Sequence, residues 1–197
     1  MLFRSAAAQA VKVTWFAARD TTGFVAKQVE DFNKNGGGKV TIDYQEQGQQ
    51  TSDLRDKFVL VANAKDPAAD MISMDVPYVP EFAAAGWTID VEKVLPSDEK
   101  AKFFKGTLDG ATFSGKLYGV PWFNNGPGLF YRKDLLEQGG FKAPPKTYDE
   151  LLEQAKKLQT PEIAGFSAQM SQTEGGIITW FEYLWGYGGD LMDDKLE

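Results

Sequence analysis

The stretch VKVTWFAARDTTGFVAKQVEDFNKNGGGKVTIDYQEQ, Val11 to Gln47, carries two periods in succession. Val11, Val13 and Trp15 alternate with Lys12, Thr14 and Phe16, the period-two pattern of a strand. Val25, Val29 and Phe32 then recur at i, i+4 and i+7, one face of a helix. Asn35-Gly36-Gly37-Gly38 stops that helix, because glycine takes up the left-handed backbone that ends one. Val40, Ile42 and Tyr44 return to a strand. Working outward, Thr51 or Ser52 caps a second helix with the face Leu54, Phe58, Val61 and Ala62. Met71-Ile72-Ser73-Met74 is a short apolar run, as in a parallel strand buried on both faces. The order β-α-β-α-β predicts an α/β fold with an open, doubly wound parallel sheet.

Further along, Pro80 to Ala85 reads as a short helix closed by Gly86, and Asp98 to Phe104 as another. Leu117 to Trp122, Gly128 to Tyr131 and Ile163 to Ala168 read as strands. Thr147-Tyr148-Asp149-Glu150 is a capping box opening a helix whose core face is Tyr148, Leu151, Leu152, Ala155 and Leu158. Ile177, Ile178, Phe181, Leu184 and Trp185 form the next helical stripe, ended by Gly188-Gly189. The strand–helix series restarts after residue 128 and does not complete, so the second layer is expected to be truncated. At the other end, Ala8-Gln9-Ala10 has the form of a signal-peptidase site, but Met1 to Arg4 cannot serve as the apolar region before it. Residues 1–10 therefore read as a leader remnant or a sequencing scar.

Composition narrows the chemistry. The 197 residues contain no cysteine and no histidine, which removes disulfides, thiolate zinc sites, Ser-His-Asp triads and Cys-His dyads together. A net charge of −7 argues against nucleic acid, which needs clustered Lys and Arg. No metal or organic cofactor is expected, and no catalytic residue.

In open parallel sheets ligands sit beyond the carboxyl ends of the strands. That selects Arg19 and Asp20 after the first strand, Gln47 after the second, and Asp75 with Tyr78 after the third. None of these loops is a Gly-x-Gly-x-x-Gly or Walker loop, and Gly36 to Gly38 lies on the wrong side of its strand to cradle phosphate. The loops offer a guanidinium, carboxylates, amides and hydroxyls. Farther on, Trp122-Phe123-Asn124-Asn125 places two flat rings beside two amides where Gly126-Pro127-Gly128 bends the chain. A sugar presents paired hydroxyls and flat C–H faces, and this is the chemistry that covers both. Bland readings stand beside these. Arg19 and Asp20 read equally as a helix-start charge and an N-cap, Asp75 as a turn residue, Gln47 as a solvated loop residue, and Glu174-Gly175 as a loop or cap. Trp87 reads as core, as do Trp180, Tyr183 and Tyr187 at i, i+3 and i+7.

Four segments in order carry a family likeness: SMDVPYVPEFAAAGW (Ser73–Trp87), GKLYGVPWFNNGPGLFYRKDLLEQGG (Gly115–Gly140), PKTYDELLEQAKKL (Pro145–Leu158) and FEYLWGYGGDLMDD (Phe181–Asp194). Together they resemble the extracellular solute-binding proteins of ABC sugar importers, the maltose/trehalose-type cluster of family 1. The resemblance implies a periplasmic-binding-protein-like (class II) fold of two α/β lobes with sugar bound between them. It gives a first lobe at 11–120, a hinge crossing at 121–127 and an incomplete second lobe at 128–197. Carried over residue by residue, Arg19, Asp20, Asp75, Trp122, Phe123, Asn124 and Asn125 would meet the ligand, with Gln47 and Tyr78 in the adjoining loops. Glu174 and Gly175 match a Tyr-Glu-Gly loop of the family, with Thr173 here in place of Tyr. Relatives often carry Asp where this chain has Asn125. The implied partners are a small carbohydrate and the transmembrane subunits of an ABC permease. The implied state is monomeric when full length, and the implied place is the periplasm or the extracellular face of the cytoplasmic membrane. A glycoside hydrolase with Asp20 and Asp75 as its carboxylate pair, or the same fold with a non-sugar cargo, are the competing readings.

Overall fold

The computed structural model describes residues 10–48 and 50–193. The leader or scar read at 1–10 lies, apart from Ala10, outside the described residues, as do Gln49 and the end of the FEYLWGYGGDLMDD segment. The chain divides into two compact units, Met1–Asn125 and Gly126–Glu197.

In the first unit, β1 (Val11–Ala17), α1 (Phe24–Asn35), β2 (Val40–Glu46), α2 (Thr51–Asn63) and β3 (Met71–Ile72) follow the predicted order. The sheet is parallel with strand order β2-β1-β3. β1 pairs with β2 along its whole length, from Val11↔Val40 to Ala17↔Glu46, and with β3 at Trp15↔Met71 and Phe16↔Ile72. Its central place explains why Trp15, Phe16 and Ala17 are buried. Among the described residues no strand pairs with the outer edge of β2, and α1 covers part of it: the Asn33 amide donates to the Ile42 carbonyl at 2.9 Å and accepts from the Ile42 N–H at 2.7 Å. A side chain here satisfies backbone groups that an edge strand would otherwise expose.

α1 buries Val29 with Val25 packed beside it, but Phe32, the third member of the predicted stripe, is 43% exposed. The cap of α2 is Gln50, not Thr51 or Ser52. The Gln50 side chain accepts from the Asp53 backbone, and the Asp53 carboxylate accepts from the Gln50 N–H at 3.1 Å. Thr51 and Ser52 are already inside the first turn. Gly48 takes φ +88°, and a Cβ there would lie 2.4 Å from Asp53 Cβ, so this tight entry to α2 requires glycine.

After β3 come a 3₁₀ turn (Val76–Tyr78), α3 (Val79–Ala84), α4 (Ser97–Lys100), α5 (Lys105–Gly110) and the antiparallel pair β4 (Thr112–Phe113) and β5 (Lys116–Leu117). Phe82 of α3 is fully buried among Phe58, Trp87 and Tyr78, with ring centroids 4.9, 5.8 and 6.1 Å away. Trp87 is thus core, as its sequence context suggested. Two expectations need correction here. The helix read at Asp98 to Phe104 ends at Lys100 in α4, with Phe104 only the N-cap of α5, and the strand read at Leu117 to Trp122 keeps only Leu117.

The second unit contains α6 (Lys133–Gln138), α7 (Tyr148–Leu158) and α8 (Glu174–Gly186). The capping box of α7 forms with one shift: Thr147 Oγ1 accepts from the Glu150 N–H at 3.1 Å, but the Glu150 carboxylate reaches Lys146 N–H rather than that of Thr147. Gly128 to Tyr131 and Ile163 to Ala168 are not strands, and among the described residues this unit has none. A strand needs a paired neighbour, and an apolar run alone supplies none. With no sheet to receive it, the Ile177, Ile178 and Trp185 face of α8 is exposed, and Leu152 of the expected α7 core face is 53% exposed.

Phe82→Ala is expected to cost about 3–5 kcal/mol, as for large core deletions. Leu60→Ala, on a 70% exposed side chain of α2, should stay within about 0.5 kcal/mol of wild type. Urea unfolding of both variants checks the contrast, and equal losses would mean that Phe82 is not the centre of this core.

Candidate functional site

All three strands of the parallel sheet end on the same side, so their following loops gather there. Two backbone bonds tie the loops together: Gln47 N–H donates to the Ala17 carbonyl at 2.8 Å, and Arg19 N–H donates to the Gly48 carbonyl at 3.3 Å. The Arg19 side chain is exposed. Gln47 is half-buried rather than solvated, and its amide donates to Gln45 Oε1.

Asp20 is turned toward α1. Its Oδ1 accepts from the Thr22 N–H at 2.8 Å and the Thr22 hydroxyl at 2.6 Å, while Oδ2 accepts from the Val25 N–H at 2.8 Å. The helix itself begins behind Gly23, whose φ is +71°. The Thr22 hydroxyl first, then the Val25 and Thr22 N–H groups, hold the Asp20 carboxyl below its ordinary value, because each bond favours the charged form. The Asp20 N–H in turn donates to Glu46 Oε1 at 3.0 Å. Tyr44 leans on the same oxygen at 3.5 Å, and burial, with the Glu46 and Asp20 charges adding, pushes its phenol up.

Asp75 precedes the 3₁₀ turn, with Oδ1 accepting from Val76 N–H at 2.8 Å and its carbonyl from Tyr78 N–H at 3.0 Å. Tyr78 stacks on Phe82 and receives the Arg55 guanidinium 5.6 Å from its ring centre. Arg55 is held there by a two-pronged ion pair with Glu81. The Tyr78 ring therefore contributes to packing around Phe82.

Trp122 and Phe123 are 56% and 71% exposed, and with Asn124 they line a small concavity of about 190 Å³ walled by Phe103 and Phe104. Asn125 is exposed beside them, but the bend expected at Gly126-Pro127-Gly128 does not form: residues 118–132 have neither turn nor bend, and neither glycine takes a positive φ. The inner edge of Trp122 meets Trp15, with centroids 5.5 Å apart and planes at 83°. Trp15, Tyr44, Glu46 and Ser73 were not among the site residues read from the sequence. Their place at the ends of β1, β2 and β3 was the available signal.

In the second unit Glu174 is the first residue of α8, and it borders an open pocket of about 490 Å³ with Thr173, Ile177 and Trp180. Gly175 follows it, where a Cβ would lie 2.4 Å from Gln169 Oε1. The aromatic stripe read as core is divided. Tyr183 packs on Tyr148 at 4.9 Å, but Trp180 is 46% exposed and lines the pocket. Among the described residues no group of three or more acidic side chains is placed to hold a metal ion.

Because the Asp20 value is lowered, its bonds contribute stability above the ordinary carboxylate range and lose it as pH falls through the lowered value. Asp20→Asn should therefore melt below wild type at about pH 7, with the gap narrowing toward about pH 2. Thermal melts across that range check this; a gap of constant size would mean that the charge of Asp20 is not what these donors hold.

A family model for bacterial extracellular solute-binding proteins matches residues 18–197. A probable ABC transporter-binding protein of Deinococcus radiodurans is 34% identical over 112 residues, 54% of this chain and 27% of that protein. An uncharacterized ABC transporter extracellular-binding protein of Pyrococcus horikoshii is 31% identical over 157 residues, 75% of this chain and 35% of its own length. Among solved structures, maltose-bound T. maritima MalE3 matches with a TM-score of 0.79 at 29% identity, covering 95% of this chain and 48% of the other. The chain thus spans about half the length of that structure, and the matched stretches span about a third of the curated relatives.

Proposed function

The chain belongs to the bacterial extracellular solute-binding protein family and carries its class II periplasmic-binding-protein-like fold; from this we propose that it captures a carbohydrate outside the cell and delivers it to an ABC permease without catalysis. The observation that carries the reading is the irregular segment Trp122–Asn125. It presents two exposed rings and two amides next to the carboxyl ends of a parallel sheet. The outward faces of these rings are covered by no core residue, and ring faces beside amide donors and acceptors suit the C–H faces and hydroxyls of a sugar. The similarity to a maltose-bound protein supports the same class of ligand.

In this reading Trp122 and Phe123 stack on the ligand while Asn124, Asn125, Arg19, Gln47 and Asp75 meet its hydroxyls. Glu174 and Gly175 belong to a second contact region in the other unit, and residues 121–127 act as the hinge crossing. Asn125 both donates and accepts, whereas the Asp common in relatives only accepts, so we assign the choice among sugars partly to this position. The protein acts as a monomer exported to the periplasm or the outer face of the cytoplasmic membrane.

A hydrolase reading on Asp20 and Asp75 gains no support from the geometry. A general acid needs a raised carboxyl value, and that of Asp20 is lowered, first by the Thr22 hydroxyl and then by the Val25 and Thr22 N–H groups.

The test uses protein expressed from the complete reading frame, titrated calorimetrically with maltose, trehalose, a hexitol, spermidine and phosphate. Saturable binding of a saccharide or hexitol without turnover is expected, and binding of spermidine or phosphate alone would refute the assignment. With the sugar that binds, Trp122→Ala should lose about 1–3 kcal/mol of affinity, the scale of a stacked aromatic contact. An unchanged affinity would remove Trp122 from the site.

A further inference from the structure

Trp122 has an exposed face to present but little of its own to hold it. It lies in a stretch without helix or strand, from Tyr118 to Arg132, and among the described residues its ring meets one other aromatic side chain, Trp15. Trp15 is the opposite case. It sits near the end of the central strand β1, 7% exposed, with backbone pairs on both sides. A buried indole N–H needs an acceptor, and Nε1 donates to Ser73 Oγ at 3.0 Å. Ser73 is fixed in turn, since its N–H donates to the Phe16 carbonyl at 2.9 Å. From the β2 side the Tyr44 ring meets Trp15 edge-on, with centroids 5.3 Å apart and planes at 69°.

The Trp15 indole is thus clamped by a hydrogen bond from Ser73, the residue after β3, and by a ring from β2, and it meets Trp122 at 83°. Edge-to-face contact fixes the plane of one ring relative to the other. We propose that Trp15 is a positioning residue that sets the plane of Trp122 and so the attitude of its ligand-facing surface, with the Ser73 hydroxyl as the pin. The proposal rests on the reading of Trp122 as a ligand contact. Trp15 itself stays buried behind that ring. A core residue would act through packing alone. A positioning residue acts through direction, and the indole N–H is its directional group.

The distinguishing probe is the chain labelled with 5-fluorotryptophan, whose five tryptophans give separate fluorine resonances, assigned by Trp→Phe variants. Ser73→Ala removes the pin but keeps the ring. It should shift or broaden the Trp122 resonance while leaving those of Trp180 and Trp185 in place, and Ser73→Thr, which keeps the hydroxyl, should restore it. In protein from the complete reading frame, Ser73→Ala should weaken maltose binding about fivefold, the size of one net hydrogen bond, and Ser73→Thr should recover it. Trp15→Phe, which keeps a ring but has no N–H, should reproduce the Ser73→Ala spectrum. An unmoved Trp122 resonance in Ser73→Ala, even with a lowered melting temperature, would reduce Trp15 to core packing and overturn the proposal. So would a moved resonance with maltose affinity unchanged. If the wild type binds no sugar at all, the carbohydrate reading falls, and the ligand-free fluorine spectra still decide whether Trp15 orients Trp122.

Discussion

β1 is hydrogen-bonded along both edges, and the placement of nearly every residue at the first unit's candidate site follows from that pairing. Parallel strands end together, so a central strand paired on both sides brings the loops after β1, β2 and β3 to one end. The pairing to β3 is short, with two residues in ladder register. Side chains lengthen it. The Asp70 carboxylate accepts from the Thr14 N–H at 2.8 Å, and the Asp70 N–H donates back to the Thr14 carbonyl at 3.0 Å. A carboxylate stands in for a missing carbonyl at the entry to β3. Because side chains alternate across a strand, a slip of one residue at this point would turn Trp15 out of the core and Thr14 in. The polar clasp at Asp70 and the buried indole of Trp15 therefore enforce the same register from opposite sides of the chain.

The legible parts of the sequence were those whose signal is local. A strand paired along its length alternates visibly, and β1 and β2 were readable for that reason. An amphipathic helix marks its own face, and α1, α2 and α7 were readable too, to within a residue or two at their ends. The cap of α2 was misplaced because Gln50 is an uncommon cap, whereas Thr51 and Ser52 are favoured types one step inside. Strands at Gly128 to Tyr131 and Ile163 to Ala168 could not be settled locally, since a strand exists only through its neighbour. Phe32 shows the same limit for a helix: its spacing is right, but no element reaches far enough to cover it.

At the site the sequence named loops better than side chains. Asp20 is at the predicted position, yet both its oxygens meet donors nearby in the chain, Oδ1 at Thr22 ahead of α1 and Oδ2 at Val25 within it. Tyr78 is in the predicted loop, yet its ring belongs to the Phe82 cluster with Arg55 over it. Strand ends predict where a residue lies but not which way it points, and direction is what Thr22, Val25 and Arg55 decide. The reverse holds for Trp15 and Tyr44. Their alternation marks them as inward-facing core, and the sheet's end places them directly behind the site.

Two kinds of surface therefore meet where Trp122 touches Trp15. Behind it is a rigid layer, held by ladder bonds, the Ser73 hydroxyl and the Glu46 carboxylate, which also takes the Asp20 N–H. In front is a segment without regular structure that exposes rings and amides. Charge is sparse on this front. Arg19 is exposed, Lys102 of the adjoining concavity is paired with Glu99, and Asp20 is occupied by α1. A ligand that needed strong ionic anchoring would find few unpaired partners here, whereas a neutral ligand with apolar faces and many hydroxyls would find what it needs. Affinity in such a site depends less on attraction than on how firmly the rings are held before the ligand arrives, because each ring immobilised on binding costs entropy. On the proposed reading, the buried Trp15 ring and the half-buried Ser73 hydroxyl remove part of that cost in advance. A residue almost wholly withdrawn from solvent would in this way share in recognition.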